Sequence, residues 1–362
     1  MWRIGTFFLV NFVISCYGSE LAQSPPRDGR LFNIFNIVRF RNEPCNGTLN
    51  ILGTCYTSEE CSRRGGIANG NCAVGFGVCC SFEIGCGATA NQNNTYFTST
   101  MADSSPCTAM VCRCNSNVCQ LRLDFQSFDI AQPNSDERLA ARAVQRTQCL
   151  DATFTATSRS GNPPVICGTN SGYHMILEAD ANCNRLNFDW FENAPRQWRI
   201  LITQVPCNSP NKAPEGCTQY FTGIMGTVES YNFQGGTHLA NQDYLNCVRT
   251  ELGFCQIEWS HSPLEGDFSI SADKPGGSSG DNCSLDYVGI LGGFLPGNDP
   301  FNNPNNDRFC GSGLMSRTST ITSTISSIQV PFGLRFVTDL GETDDVDDLQ
   351  GGFKLNYMQI PC

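Results

Sequence analysis

The chain has 362 residues, with 23 Lys and Arg against 34 Asp and Glu, a formal net charge of −11. That length suits roughly two or three domains, and an acidic balance without a long basic tract argues against nucleic acid or an anionic membrane as the main partner. The 22 cysteines are a density that only an oxidising compartment makes sensible.

Residues 1–18 read as a signal peptide. Arg3 supplies the positive end, Ile4 to Ile14 is mostly apolar, and Cys16-Tyr17-Gly18 offers small residues near a cut. The apolar run of about 11 residues is short of the roughly 20 that span a bilayer, and no later stretch is long and apolar enough to cross one. The expectation is a secreted, extracellular protein with no membrane span, and removing Cys16 leaves an odd number of cysteines. Three sequons, at Asn46, Asn93 and Asn282, are compatible with N-glycosylation.

Residues 19–44 form a leader segment, polar around Pro25-Pro26 and more apolar from Leu31 to Val38, where packing on a neighbouring domain is expected. The block 45–80 holds Cys45, Cys55, Cys61, Cys72, Cys79 and Cys80, with glycines dense among them. A block this small buries too little apolar surface by itself, so disulfides must supply much of its stability. Six cysteines ending in Val78-Cys79-Cys80 resemble the clip domain of arthropod extracellular proteins. The resemblance implies the pairs Cys45–Cys79, Cys55–Cys72 and Cys61–Cys80. A zinc site is the rival reading, disfavoured because the block has no histidine.

Two further units, 86–207 and 217–362, look like copies of one another. The first ends Val205-Pro206-Cys207 and the second Ile360-Pro361-Cys362, and each carries a late cysteine followed by glycine, Cys167-Gly168 and Cys310-Gly311. Such duplication is good evidence for a boundary, here the Pro/Asn/Lys stretch between Cys207 and Cys217. Alternating apolar residues mark strands in both: Leu121, Leu123, Phe125; Leu186, Phe188, Trp190; Trp198, Ile200, Ile202; Ile257, Trp259; Phe268, Ile270; Phe332, Leu334, Phe336; Phe353, Leu355, Tyr357. Gly, Asn, Pro and Ser clusters punctuate them, so the fold class is all-β, two disulfide-bonded β-sandwiches preceded by a small knot. One exception is 135–146, where a capping Ser135, early acids and good helix formers predict a short inserted helix.

The order Cys283-x-x-Asp286-x-Val288, Phe309-Cys310-Gly311, Leu334-x-Phe336-x-x-Asp339, Gly352-Phe353-x-Leu355-x-Tyr357 resembles the C-terminal half of a CUB domain. That resemblance implies an extracellular β-sandwich used for binding, and, carried to both copies, the pairs Cys86–Cys107, Cys149–Cys167, Cys217–Cys247 and Cys283–Cys310. The remaining matched cysteines imply Cys119–Cys207 and Cys255–Cys362. Cys112, Cys114 and Cys183 are then left, of which two can pair, and the third is expected as a buried thiol rather than one used between chains.

The CUB resemblance also implies a possible calcium site in the second unit, with Asp286 and Asp339 as ligands. Ser278 stands where the family has a Glu, so Asp281 or an acid from 342–348 would have to substitute. The alternative is that Asp286 only accepts backbone hydrogen bonds in a turn. In the first unit Ala152 stands at the matching place, with Asp151 one residue off.

Catalysis has little support. His174, His238 and His261 are widely separated, and Gly276-Gly-Ser-Ser-Gly280 lacks the strand-turn-helix context of a nucleophile loop. Arg138, Arg142 and Arg146 would form one basic stripe on the inserted helix, a candidate surface for a sulfated glycan or an acidic protein patch, or simply a solvated face. The reading is a secreted, non-catalytic recognition protein whose partner is an extracellular protein or glycan. The alternatives are a regulatory partner of a serine protease cascade, cut at Arg63 or Arg64, and a structural component of matrix or cuticle.

Overall fold

A computed structural model describes residues 39–133, 147–191, 194–261, 266–270, 277–295, 307–314, 324–340 and 351–362. The expected signal peptide, most of the leader, the helix expected over 135–146 with its arginines and the acidic stretch 342–348 lie outside the described residues. Within them the chain is almost entirely β, and no helix is long and apolar enough to cross a membrane.

The knot is built on the strands Pro44–Asn46, Leu52–Tyr56, Ile67–Cys72 and Gly77–Ile84. Its helix, Ser58–Arg63, starts where the Thr57 hydroxyl accepts from the Glu60 N–H at 3.1 Å, with Glu59 and Glu60 in the first turn. Disulfides join Cys45–Cys79, Cys55–Cys72 and Cys61–Cys80. Two glycines make room for them. A Cβ on Gly66 would overlap the sulfur of Cys80, and one on Gly77 would lie 2.8 Å from the Cys72 sulfur and 2.9 Å from that of Cys55. The strand Gly77–Ile84 then runs on past Cys80 and pairs in parallel with Thr95–Thr98, so the knot shares one eight-stranded sheet with the unit that follows.

That sheet continues through Arg196–Pro206, Val118–Ile130 and His174–Glu178, and faces a second sheet of Thr89–Ala90, Cys107–Val111, Asn184–Trp190 and Ala152–Ala156. Phe97, Phe125, Phe128, Phe154, Phe188 and Trp198 fill the space between them, Phe188 lying flat on Trp198 with ring centres 3.8 Å apart. Phe125 and Phe128 are three apart, which simple alternation would send to opposite faces. The pairing of Arg196–Pro206 with Val118–Ile130 skips Gln126, and this bulge returns Phe128 to the core side.

The second sandwich has Cys217–Phe221, Asp243–Val248, Phe332–Val337, Tyr287–Gly289, Arg308–Cys310 and Ser278–Ser279 in one sheet. Met225–Glu229, Gly352–Pro361, Phe254–Ser260 and Ile325–Ser327 make the other. The alternating Phe332, Leu334, Phe336 and Phe353, Leu355, Tyr357 all point inward. Ser278 and Ser279 sit in a strand against Phe309 and Cys310, which gives that serine run a structural place.

The first sandwich is closed by Cys86–Cys107, Cys112–Cys183, Cys119–Cys207 and Cys149–Cys167, and the second by Cys217–Cys247, Cys255–Cys362 and Cys283–Cys310. Cys114 is also disulfide-bonded, and no described cysteine is free. The expectation of an unpaired thiol among Cys112, Cys114 and Cys183 concerned the chain after removal of Cys16, which lies outside the described residues.

Truncating Phe188 tests the aromatic core. Phe188→Ala leaves a cavity under Trp198 and should cost about 3–5 kcal/mol. Denaturant unfolding with the disulfides intact checks it, the midpoint falling with little change in slope.

Candidate functional site

The strand His174–Glu178 is buried along its whole length, unlike a strand with one solvated face. It forms the end of its sheet, and the strand Cys217–Phe221 of the second sandwich lies against it. Ile176, Ala213, Cys217, Tyr220 and Cys247 pack together there as an apolar cluster separate from the main core.

Polar groups lock the same seam. The Tyr220 N–H donates to His174 Nε2 at 2.7 Å, and the Tyr231 hydroxyl donates to the His174 carbonyl at 2.9 Å. Gln120 grips the linker, its Nε2 donating to the Ala213 carbonyl at 2.9 Å and its Oε1 accepting from the Ala213 N–H at 2.8 Å. The Asn232 N–H donates to Asn170 Oδ1, and the Thr169 N–H donates to Asn232 Oδ1, both at 2.8 Å. Tyr173 donates to Glu229 Oε2 at 2.7 Å, and Lys354 lies 3.1 Å from the other oxygen. Buried polar groups satisfied across a junction fix one arrangement, because parting the surfaces would leave each of them unpaired.

Burial, and secondarily the Arg122 guanidinium, push His174 down to about 3. Burial also pushes the Tyr231 and Tyr244 phenols up, and burial with Glu229 does the same for Tyr173. Beside the seam the sandwiches border a half-open cavity of about 420 Å³. Ser158 and Asn162 of one loop, Glu178, and Thr218, Asp243 and Arg335 of the second sandwich contribute to its wall. Binding sites are common at such junctions.

The residues singled out from the sequence fall elsewhere. Asp286 and Asp339 do come together, Asp286 Oδ1 accepting from the Asp339 N–H at 2.7 Å with the Asp286 side chain buried. Ser278 is held in its strand and Asp281 is exposed. Among the described residues the grouping of three potential metal ligands is Cys86, Asp103 and Cys107, whose two cysteines are bonded to each other. Calcium takes six to eight oxygen ligands; Asp286 and Asp339 lie among the described residues, and the acids of 342–348 outside them. Asn46 and Asn282 are exposed, while Asn93 is half-buried with its Oδ1 accepting from the Gln204 N–H at 2.7 Å. Arg63 is exposed, whereas Arg64 is held by Glu60 at 3.0 Å and lies over the Tyr56 ring.

The sequence reading missed Gln120, Glu178 and Tyr220, and weighed His174 only for catalysis. One signal was present: His174-Met-Ile-Leu-Glu178 is a short apolar run bracketed by polar ends, the mark of a strand covered on both faces. The sequence had no way to show what covered it.

The seam makes stability depend on pH. Unfolded His174 titrates near 6.5 and folded His174 near 3, so the unfolded chain binds the extra proton between these values. Stability is therefore full above about pH 6.5 and falls toward pH 3, by on the order of 5 kcal/mol. Unfolding free energies across that window should lose this slope in His174→Gln. For calcium, heat at millimolar concentration in a calorimetric titration of the whole protein that vanishes in Asp286→Ala and Asp339→Ala supports the expected site, whereas no binding up to about 10 mM, beyond the weak limit for extracellular modules, removes it.

Residues 214–360 match the family model of the Animal CUB domain. Among solved structures, the chain resembles the CUB1-EGF-CUB2 domain of human MASP-1/3, at 14% identity over 73% of this chain and 98% of that one, with a TM-score of 0.24. It also resembles the full extracellular region of zebrafish Gpr126/Adgrg6, at 12% identity over 76% of this chain and 36% of that one, with a TM-score of 0.25. No curated protein matches the chain.

Proposed function

We propose that this chain is an extracellular, non-catalytic recognition protein that binds another protein or a glycan, with its two sandwiches acting as one rigid unit. The observation that carries the reading is the second sandwich, whose residues match the Animal CUB domain, fastened to the first by a buried polar seam. A fixed tandem presents a larger pre-organised surface than either sandwich alone, which lowers the ordering cost of binding. The disulfides that close each unit suit an oxidising, extracellular setting.

Crosslinking the whole secreted protein in its native fluid tests the reading. The expected result is a discrete captured partner, with capture reduced in Gln120→Ala, which releases the linker at Ala213. Recovery only in reductant-dependent insoluble material would instead favour a matrix component. A change of partners on cleavage after the exposed Arg63 would favour the protease-cascade role.

A further inference from the structure

The inter-sandwich cavity has one charged group that its surroundings leave incompletely partnered. Glu178 ends the strand His174–Glu178 and is 5% exposed. Its Oε1 accepts from Gln120 Nε2 at 2.7 Å, and its backbone N–H donates to Ser158 Oγ at 2.9 Å. Those bonds hold the carboxylate in place on the cavity wall. Its Oε2 has Arg159 Nη2 at 3.9 Å, too far for a hydrogen bond, and the Arg159 side chain is 60% exposed. Glu178 Oε2 therefore faces the cavity with the distant Arg159 as its one ion-pair neighbour.

The other charges on the wall cancel. Arg335 donates to Asp243 through Nε at 2.7 Å and Nη2 at 2.6 Å, a two-pronged pair in which both partners are satisfied. Around the open oxygen the wall is partly apolar, with Ile176, Tyr244, Leu245 and Leu291. A buried carboxylate at one point and hydrocarbon along the approach match a side chain with an aliphatic stem and a cationic head. About 420 Å³ is ample for one such side chain and its backbone. Calcium fits poorly, since Glu178 is a single carboxylate and hard cations want several oxygens. The chain's net charge of −11 also favours approach of a basic partner.

We propose that this cavity receives a lysine or arginine side chain from a protein partner, with the charged head on Glu178 Oε2 and the stem along Ile176 and Leu245. The identity of the source as a protein rests on the recognition reading above. The site itself stands on the cavity and its carboxylate.

The test titrates the whole protein with Nα-acetyl-lysine amide and Nα-acetyl-arginine amide, followed by NMR. At least one should bind saturably in the millimolar range, and the uncharged Nα-acetyl-norleucine amide at least about tenfold more weakly, the size of a charge-assisted hydrogen bond. Glu178→Gln should weaken the basic probe by a similar factor while thermal unfolding stays near wild type. Arg159→Ala removes the competing cation from the surface and should tighten binding several-fold. This second variant decides the matter if Glu178→Gln fails to fold. Equal binding of the norleucine probe, no saturation by about 50 mM, or indifference to both substitutions would overturn the proposal. Partner capture that persists in Glu178→Gln without probe binding would sink this site and leave the recognition reading standing. Probe binding without any captured partner would do the reverse.

Discussion

The arrangement depends on how the strand His174–Glu178 is covered. It ends a sheet, and an open sheet edge is a hazard because its unpaired backbone groups invite another chain. Here the strand Cys217–Phe221 lies over it, and side chains satisfy backbone groups at its ends, Tyr231 at the His174 carbonyl and Ser158 at the Glu178 N–H. His174 illustrates the exchange. Its ring accepts a backbone N–H from one sandwich while its own carbonyl accepts a hydroxyl from the same partner. Separating the sandwiches would expose Ile176 and Tyr220 and strand these buried groups, so the tandem has one favoured geometry.

The cavity follows from the same constraint. The space lies beside the contact between the strands His174–Glu178 and Cys217–Phe221. Glu178 stands at the end of the covering strand, where the seam gives way to that space. Gln120 joins the two regions, holding the linker at Ala213 with one hand and Glu178 with the other. Seam and cavity are thereby one hydrogen-bonded system.

At the opposite end, the knot depends on covalent bonds because it has little apolar core. Closing loops of 17 to 34 residues restricts the unfolded chain by about 3–4 kcal/mol each in the loop-entropy model. Its last strand then enters the sheet of the first sandwich, where the Leu52 N–H donates to the Tyr96 hydroxyl and Asn94 Nδ2 to the Gly53 carbonyl. A small unit thus borrows a large sheet.

The sequence by itself determined the all-β class, because alternation such as Phe332, Leu334, Phe336 is a local property of a strand with one buried face. It also marked the acidic, disulfide-rich character that narrows the classes of partner. Other features were beyond it. The bulge at Gln126 breaks the local period through pairing with a strand some seventy residues away, and an extra residue looks the same in sequence whether it bulges or not. Asp286 and Asp339 were legible as neighbours, yet their hydrogen bond shows the carboxylate engaged by backbone. The seam and the Glu178 cavity were decided only by the tertiary structure. Gln120, His174, Glu178 and Tyr220 are ordinary residues on three strands, and their meaning arises from which surfaces meet, a long-range outcome that no local pattern encodes.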